Sequence, residues 1–246
     1  MSDPDFTGRV ALVTGGSGGI GAELSARLAA AGAAVAVHYA GNRDAAEKAA
    51  ARIVERGGRA AALGADLREA DAPERLIEAV EGELGPVDVL AANAGLSRPS
   101  SYEDVDAAAF DETIAVNLRA PYLLARRVLP GMRQRGFGRI LFTSSVAALT
   151  GGIVGPHYAS SKAGLHGLTH FLASRVAADG VTVNAIAPAL IEETGMLPGD
   201  PRELAARVPV GRLGTPGEVA DLAVALIRNG YVTNQVVSID GGIHPG

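Results

Sequence analysis

The sequence predicts an α/β domain: a doubly wound, seven-stranded parallel sheet covered by helices on both faces. Three observations predict it. Seven short apolar runs rich in Val, Ile, Leu and Ala alternate with segments of helical spacing. Successive parallel strands need crossovers, and right-handed crossovers lay helices on both faces of the sheet, so such strands are apolar throughout. The small and polar residues collect where the runs end, at Gly15 to Gly21, Asp66, Asn93 to Gly95, Ser144, Ser145 and Pro188. The carboxyl edge of a parallel sheet is where ligands bind, so this coincidence marks a site.

Each element has a local reason. "RVALVTG" is a β-branched run ending in glycine, and "AELSARLAAAG" carries helical spacing to a terminal Gly32. "AAVAVHYA" is the second strand, followed by a helix over 44–56 that Gly57 and Gly58 close. "RAAALGAD" precedes a helix near 71–83, and "VDVLAANAG" precedes one long helical region over 106–135. "GRILFTSS" leads to a helix from about 158 to 179. "VTVNAIAP", a helix over 216–228 and "QVVSID" complete the series.

Composition excludes several kinds of function. Nearly half the residues are apolar and a fifth are charged, which suits a buried core and not a disordered chain. There is no cysteine, hence no disulfide, thiolate metal site or cysteine nucleophile. The formal charge is -5 and the basic residues are scattered, so nucleic acid is not an expected partner. Residues 140–161 lack Asp, Glu, Lys and Arg, but Ser, Thr, three glycines and Pro156 interrupt them. They are expected to form a buried strand and a loop, not a membrane span. The acidic "MSDPDFTGRV" lacks the basic and apolar regions of a signal peptide, so the expected location is the cytoplasm. No repeat and no linker divides the 246 residues, and a single domain is expected.

"TGGSGGIG", Thr14 to Gly21, sits between the first strand and the first helix. Its glycines can be read as G-x-G-x-x-G through Gly16, Gly18 and Gly21, or as T-G-x-x-x-G-x-G through Gly15, Gly19 and Gly21, with Ser17 and Ile20 between them. Such a loop turns tightly and approaches a pyrophosphate, which the first N–H groups of the helix then hold. The fold is thus Rossmann-like, with a dinucleotide-binding part over about 1–135 and a catalytic and substrate part over about 136–246. Folds of this kind that prefer NAD end the second strand with an acid for the ribose 2′-hydroxyl. Here Tyr39 and Ala40 occupy that place, and Asn42 and Arg43 follow. Without the acid nothing repels a 2′-phosphate, and Arg43 with Asn42 can reach one, so NADP is the expected cofactor and NAD the alternative.

Tyr158 and Lys162 lie four residues apart in "HYASSKAG" and share a helix face. A cation beside a phenol favours the phenolate, which makes Tyr158 a candidate acid/base.

Thr14 to Gly21, Asn93-Ala94-Gly95, Asn117, Ser145, Tyr158 and Lys162 together make the chain resemble the short-chain dehydrogenase/reductase family over essentially its whole length. It is most similar to the 3-oxoacyl-acyl-carrier-protein reductase type, including "GRLGTPGEVA" and "VSIDGG". The resemblance implies an NAD(P)-dependent oxidoreductase acting on a carbonyl or secondary alcohol. It implies that Tyr158 gives the proton, that Lys162 lowers the tyrosine pKa and bonds the nicotinamide ribose, and that Ser145 donates to the carbonyl oxygen. Asn117 resembles the asparagine that bends a helix and passes protons from Lys162 through water. Asp66 and Leu67 resemble an adenine-holding pair, and Asn93 a residue that ties the central strand together. Ala94 and Gly95 join the cofactor contacts, and Pro188, Ile191 and Thr194 fall near the segment that fixes the carboxamide.

The chain departs from the family pattern at Pro188-Ala189, where glycine is usual second, at Thr194, one residue late, and at Asn234, where glycine is common. Ala189 does not take positive φ as freely as glycine, so altered nicotinamide-side geometry is expected. The resemblance also implies a homotetramer packed through helices around 106–135 and 158–178.

Other signals are read as structural. His166 and His170 are four apart, but no third ligand is evident and no metal is expected. His157 is expected to face the substrate mouth, while Glu192-Glu193 and Glu103-Asp104 are read as solvated. The stretch over 189–209 is expected to form a lid. The substrate is either an acyl thioester, for which Arg133, Arg135 and Arg139 would supply the basic mouth, or a sugar, polyol or other small alcohol. A dinucleotide-binding sensor without catalysis is the reading of another class.

Overall fold

The computed structural model describes residues 6–195, 197 and 199–244. The strands are β1 (Val10–Val13), β2 (Ala34–Tyr39), β3 (Arg59–Gly64), β4 (Val87–Ala92), β5 (Gly138–Thr143), β6 (Val181–Pro188) and β7 (Val236–Ile239). The helices are α1 (Gly19–Ala30), α2 (Arg43–Glu55), α3 (Ala72–Glu83), α4 (Ala107–Ile114), α5 (Ala120–Gln134), α6 (Ala147–Thr150), α7 (Pro156–Val176), α8 (Pro201–Ala205) and α9 (Pro216–Arg228). All strand pairings are parallel, in the order β3-β2-β1-β4-β5-β6-β7. The order reverses between β1 and β4, and the chains leaving those two strands diverge to open a crevice.

Alternate residues of each strand serve different cores. Leu12, Leu90, Ile140 and Phe142 pack with Leu76, Leu124, Met132 and Leu165, from α3, α5 and α7. Ala11, Val13, Val35, Val37, Val89 and Leu141 pack with Leu24, Leu28, Ile53, Val219 and Ile227, from α1, α2 and α9. This two-sided burial explains why the strands are apolar throughout instead of alternating. Two small clusters lie apart from these, one of Ala147, Val154 and Tyr158 and one of Leu204, Val208 and Leu213 in the region after β6.

The long helix expected over 106–135 is two helices joined by a π-helical turn at Ala115–Arg119. The Ala120 N–H reaches back to the Ala115 carbonyl, and Pro121 has no N–H with which to continue the ladder. The short helices α6 and α8 lie where loop was expected. Within the stretch over 189–209, Met196 and Pro198 lie outside the described residues, as do residues 1–5 of the N-terminal stretch.

Candidate active site

A cavity of about 590 Å³ opens at the carboxyl ends of β1, β4, β5 and β6. Its first wall is the glycine loop. Gly15 has φ +64°, and a Cβ there would meet the Ala94 Cα at 3.0 Å. A Cβ on Gly21 would lie 2.1 Å from the Gly15 carbonyl oxygen. Only glycine lets this turn close.

Across the crevice, the Thr14 hydroxyl accepts the N–H groups of Asn93 and Ala94, each at 2.9 Å, and Asn93 Nδ2 donates to the Thr14 carbonyl at 3.1 Å. The Thr143 hydroxyl donates to Asn93 Oδ1 at 3.3 Å, so one asparagine joins the ends of β1, β4 and β5. The N-cap of α1, Gly18, offers no side-chain hydrogen bond, which leaves the first N–H groups of that helix directed at the cavity. A cradle closed to any Cβ, next to unsatisfied N–H groups, fits the pyrophosphate of a dinucleotide.

The second wall carries Ser145, Tyr158 and Lys162. Pro156 starts α7, and the first turns aim Tyr158 and Lys162 inward, where Lys162 is 3% exposed. Its ammonium donates to the Thr143 carbonyl at 2.7 Å and stands 5.7 Å from the centre of the Tyr158 ring. Burial pushes Lys162 down to about 8. Burial raises the Tyr158 phenol above its ordinary value, while the Ser145 hydroxyl, hydrogen-bonded to it, pulls the other way. The expected lowering by Lys162 is therefore not found: the ammonium lies over the ring face and turns to Thr143, and desolvation dominates. Ser145 also caps the turn into α6, accepting the Ala147 N–H at 3.1 Å.

Asn117 sits in the π-helical turn, fully buried, and its side chain does not line the cavity. Its Oδ1 accepts the Leu96 N–H at 2.7 Å, and its Nδ2 donates to the Leu96 carbonyl and to Ser161 Oγ, each at 3.0 Å. This amide clamps the chain leaving β4 onto α7. A π-helical turn stands where a bend was expected, and the side chain has other partners than Lys162.

Of the expected cofactor residues, Gly15, Ser17, Gly19, Ile20, Asn93, Ala94, Gly95, Pro188, Ile191 and Thr194 line the cavity. Gly21 braces the loop from behind. Tyr39, Asn42, Arg43, Asp66 and Leu67 lie beyond the lining, at the ends of β2 and β3. Asn42 caps α2 through Ala45, and Arg43, 71% exposed on its side chain, pairs with Glu47 at 2.7 Å. The Asp66 carboxylate is held by Arg68 at 2.5 Å, whose hydrogen bonds keep it below the usual carboxylate range, and Leu67 packs in the core. Paired with Arg68, Asp66 is not part of the cavity lining.

At the departures from the family pattern, Ala189 avoids positive φ; Leu190 at +51° and Glu193 at +56° take it instead, and Asn234 adopts +65°. Asparagine tolerates that region better than other side chains. Thr194 nevertheless reaches the glycine loop: a Cβ on Gly19 would lie 3.4 Å from its Cα.

Two expectations are corrected. Arg133, Arg135 and Arg139 surround the amino end of β5, the edge opposite the cavity. Arg133 pairs with Asp179, Arg135 with Asp88, and Arg139 donates to the Ile227 carbonyl. The cation at the mouth is Arg207, on the turn after α8, which with Lys162 completes the basic groups of the lining and makes no ion pair among the described residues. His157 is buried against Gly155 and does not line the cavity. His166 bonds Ser144 Oγ at 2.8 Å, and His170 bonds Asn234 Oδ1 at 2.7 Å.

Sequence reasoning passed over Thr143, Arg207 and His38. Only His38 carried a signal, as an imidazole inside an apolar strand.

Residues 9–203 match the family model described as short chain dehydrogenase. The chain is 40% identical to an acetoacetyl-CoA reductase of Shinella zoogloeoides over 243 residues, 95% of this chain and 98% of that protein. It is 36% identical to a 3-oxoacyl-acyl-carrier-protein reductase of Synechocystis over 243 residues, 97% of this chain and 98% of that one. The solved structure of an angucycline C-6 ketoreductase with bound NADP superposes with a TM-score of 0.89 at 30% identity, over 97% of this chain and 96% of that chain.

Proposed function

The chain belongs to the short-chain dehydrogenase family, a class of oxidoreductases, and from that premise we propose that it reduces a 3-oxoacyl thioester with NADPH. The observation that carries the reading is one cavity holding both the glycine loop and the Ser145, Tyr158 and Lys162 group. A nicotinamide dinucleotide, when bound, supplies the hydride. Gly15, Ser17, Gly19 and Ile20 with the start of α1 would hold its pyrophosphate, and Pro188, Ile191 and Thr194 its nicotinamide end.

Tyr158 keeps its proton at neutral pH, because burial raises its pKa, and gives it to the carbonyl oxygen that becomes the alcohol. Ser145 donates a hydrogen bond to that oxygen as negative charge grows on it. Lys162, pushed down to about 8, exchanges protons near working pH and can restore the tyrosine proton. A buried, unpaired ammonium disfavours the sensor reading, since binding alone has no use for a strained charge.

NADP is favoured because no acid ends β2 and Arg43 stands at the start of α2. Turnover with NADPH and NADH tests this, and a marked preference for NADH overturns it. The thioester is favoured because the far wall is apolar, with Ile153, Val154, Leu190, Leu197 and Leu204, while Arg207 at the mouth suits a phosphate-bearing handle. A screen pairing an acetoacetyl thioester against sugars and polyols with both dinucleotides decides it; turnover of polyols alone overturns the substrate.

The proposal includes a homotetramer in the cytoplasm. Tyr122 on α5 and Phe171 on α7 are 43% and 56% exposed, as helices packed between subunits would leave them in one chain. Mass in solution tests it, a monomer at micromolar concentration being the contrary result. Among the described residues no helix is long and apolar enough to cross a membrane.

A further inference from the structure

We infer that His38 is a positioning residue that fixes the dinucleotide loop through one tautomer of its imidazole. The inference rests on the dinucleotide reading above.

His38 is the last residue but one of β2 and is 1% exposed. Its Nε2 lies 3.0 Å from the Ala65 carbonyl oxygen. A carbonyl only accepts, so Nε2 carries the proton, and Nδ1 is left with a bare lone pair. That lone pair accepts the Gly15 N–H at 3.1 Å. The His38 main-chain carbonyl accepts the Gly16 N–H at 2.9 Å. One residue therefore holds the first two glycines of the loop, Gly15 being the one at φ +64°. The same ring ties them to the end of β3, the residue before Asp66. Burial lowers the His38 pKa, which agrees with a neutral ring.

The two ring bonds can be separated. Asparagine places its Oδ1 where Nδ1 stands and keeps an acceptor for Gly15, whereas glutamine places its amide near Nε2 and keeps only the bond to Ala65. If the imidazole positions the loop, direct titration should show His38→Asn binding NADPH within about threefold of wild type. His38→Gln and His38→Leu should bind about tenfold or more weakly, each tenfold corresponding to about 1.4 kcal/mol. At saturating cofactor, kcat should stay within about threefold in all of them, since His38 touches no reacting group. Nitrogen-15 NMR of the wild type should show a protonated Nε2, an unprotonated Nδ1 and a slowly exchanging Gly15 amide.

A Nδ1-protonated ring, glutamine binding as tightly as asparagine, or a leucine variant within about twofold of wild type overturns the inference. Wild-type protein that binds neither NADPH nor NADH overturns the dinucleotide reading together with it. Should the leucine variant not fold, the asparagine and glutamine pair still decides.

Discussion

The wall of the cavity built from Thr14 to Ile20 and Asn93 to Gly95 has almost no slack. Gly15 and Gly16 close on neighbouring backbone, its side-chain bonds cross from strand to strand, and the N–H groups of both glycines end on His38. The wall built from Leu190 to Arg207 rests on a separate small core and takes left-handed conformations at Leu190 and Glu193, which are not glycine. The difference separates two tasks. A constant ligand can be met by backbone geometry that admits one residue type, while a variable one is met by side chains on a segment with a small core of its own.

The contrast can be broken at its centre first. Tyr158→Phe should lower kcat by about 10²–10⁴-fold, the usual worth of a positioned acid, with dinucleotide binding unchanged. Steady-state kinetics beside a binding titration checks both halves. Gly21→Ala should cost roughly 3 kcal/mol of stability, since its Cβ would overlap the Gly15 carbonyl, whereas Gly18→Ala in the same loop meets nothing within 4 Å and should cost under about 1 kcal/mol. Thermal melts of the two variants compare them; equal losses would mean the loop has slack after all.

On the other wall, Leu204→Ala should cost about 2 kcal/mol or more locally and raise KM for the carbonyl substrate several-fold, with cofactor binding unchanged. Limited proteolysis over 189–209 reports the local loss.

One substitution at the centre should separate stability from activity. Lys162→Met removes a buried ammonium and should raise stability at pH 7 by roughly 1–2 kcal/mol, partly offset by the Thr143 carbonyl losing its donor, while turnover disappears. The wild-type lysine titrates at about 8 when folded against an ordinary 10.5, so between those values the unfolded chain binds more protons. Wild-type stability should accordingly rise with pH through that window, and the methionine variant should lack this rise. Denaturant melts at pH 7 and pH 9.5 measure both.

Legibility in the sequence followed physical range. The seven strands were readable because burial on both faces leaves an apolar run, and the glycine loop because only glycine tolerates its geometry. Tyr158 and Lys162 were readable because helix periodicity alone brings them together. What failed depended on through-space arrangement. Arg133, Arg135 and Arg139 are close to Ser145 in sequence, yet β5 carries them to the far edge of the sheet. Asn117 was rightly placed at a helix irregularity, but its partner Leu96 is distant in the chain. Arg207 owes its position to the small core of Leu204 and Val208, which no periodicity announces.

The π-helical turn at Ala115–Arg119 adds one residue to a helical circuit, and one residue is about 100° of rotation. It acts as a phase shifter. Ahead of it α4 packs on α7; behind it α5 packs on α3 and β4. Deleting one residue there would restore an unbroken helix whose halves, now in phase, could not both meet these neighbours. The number of residues in that turn therefore sets the angular frame in which Asn117 reaches Leu96 and α7 presents its tyrosine.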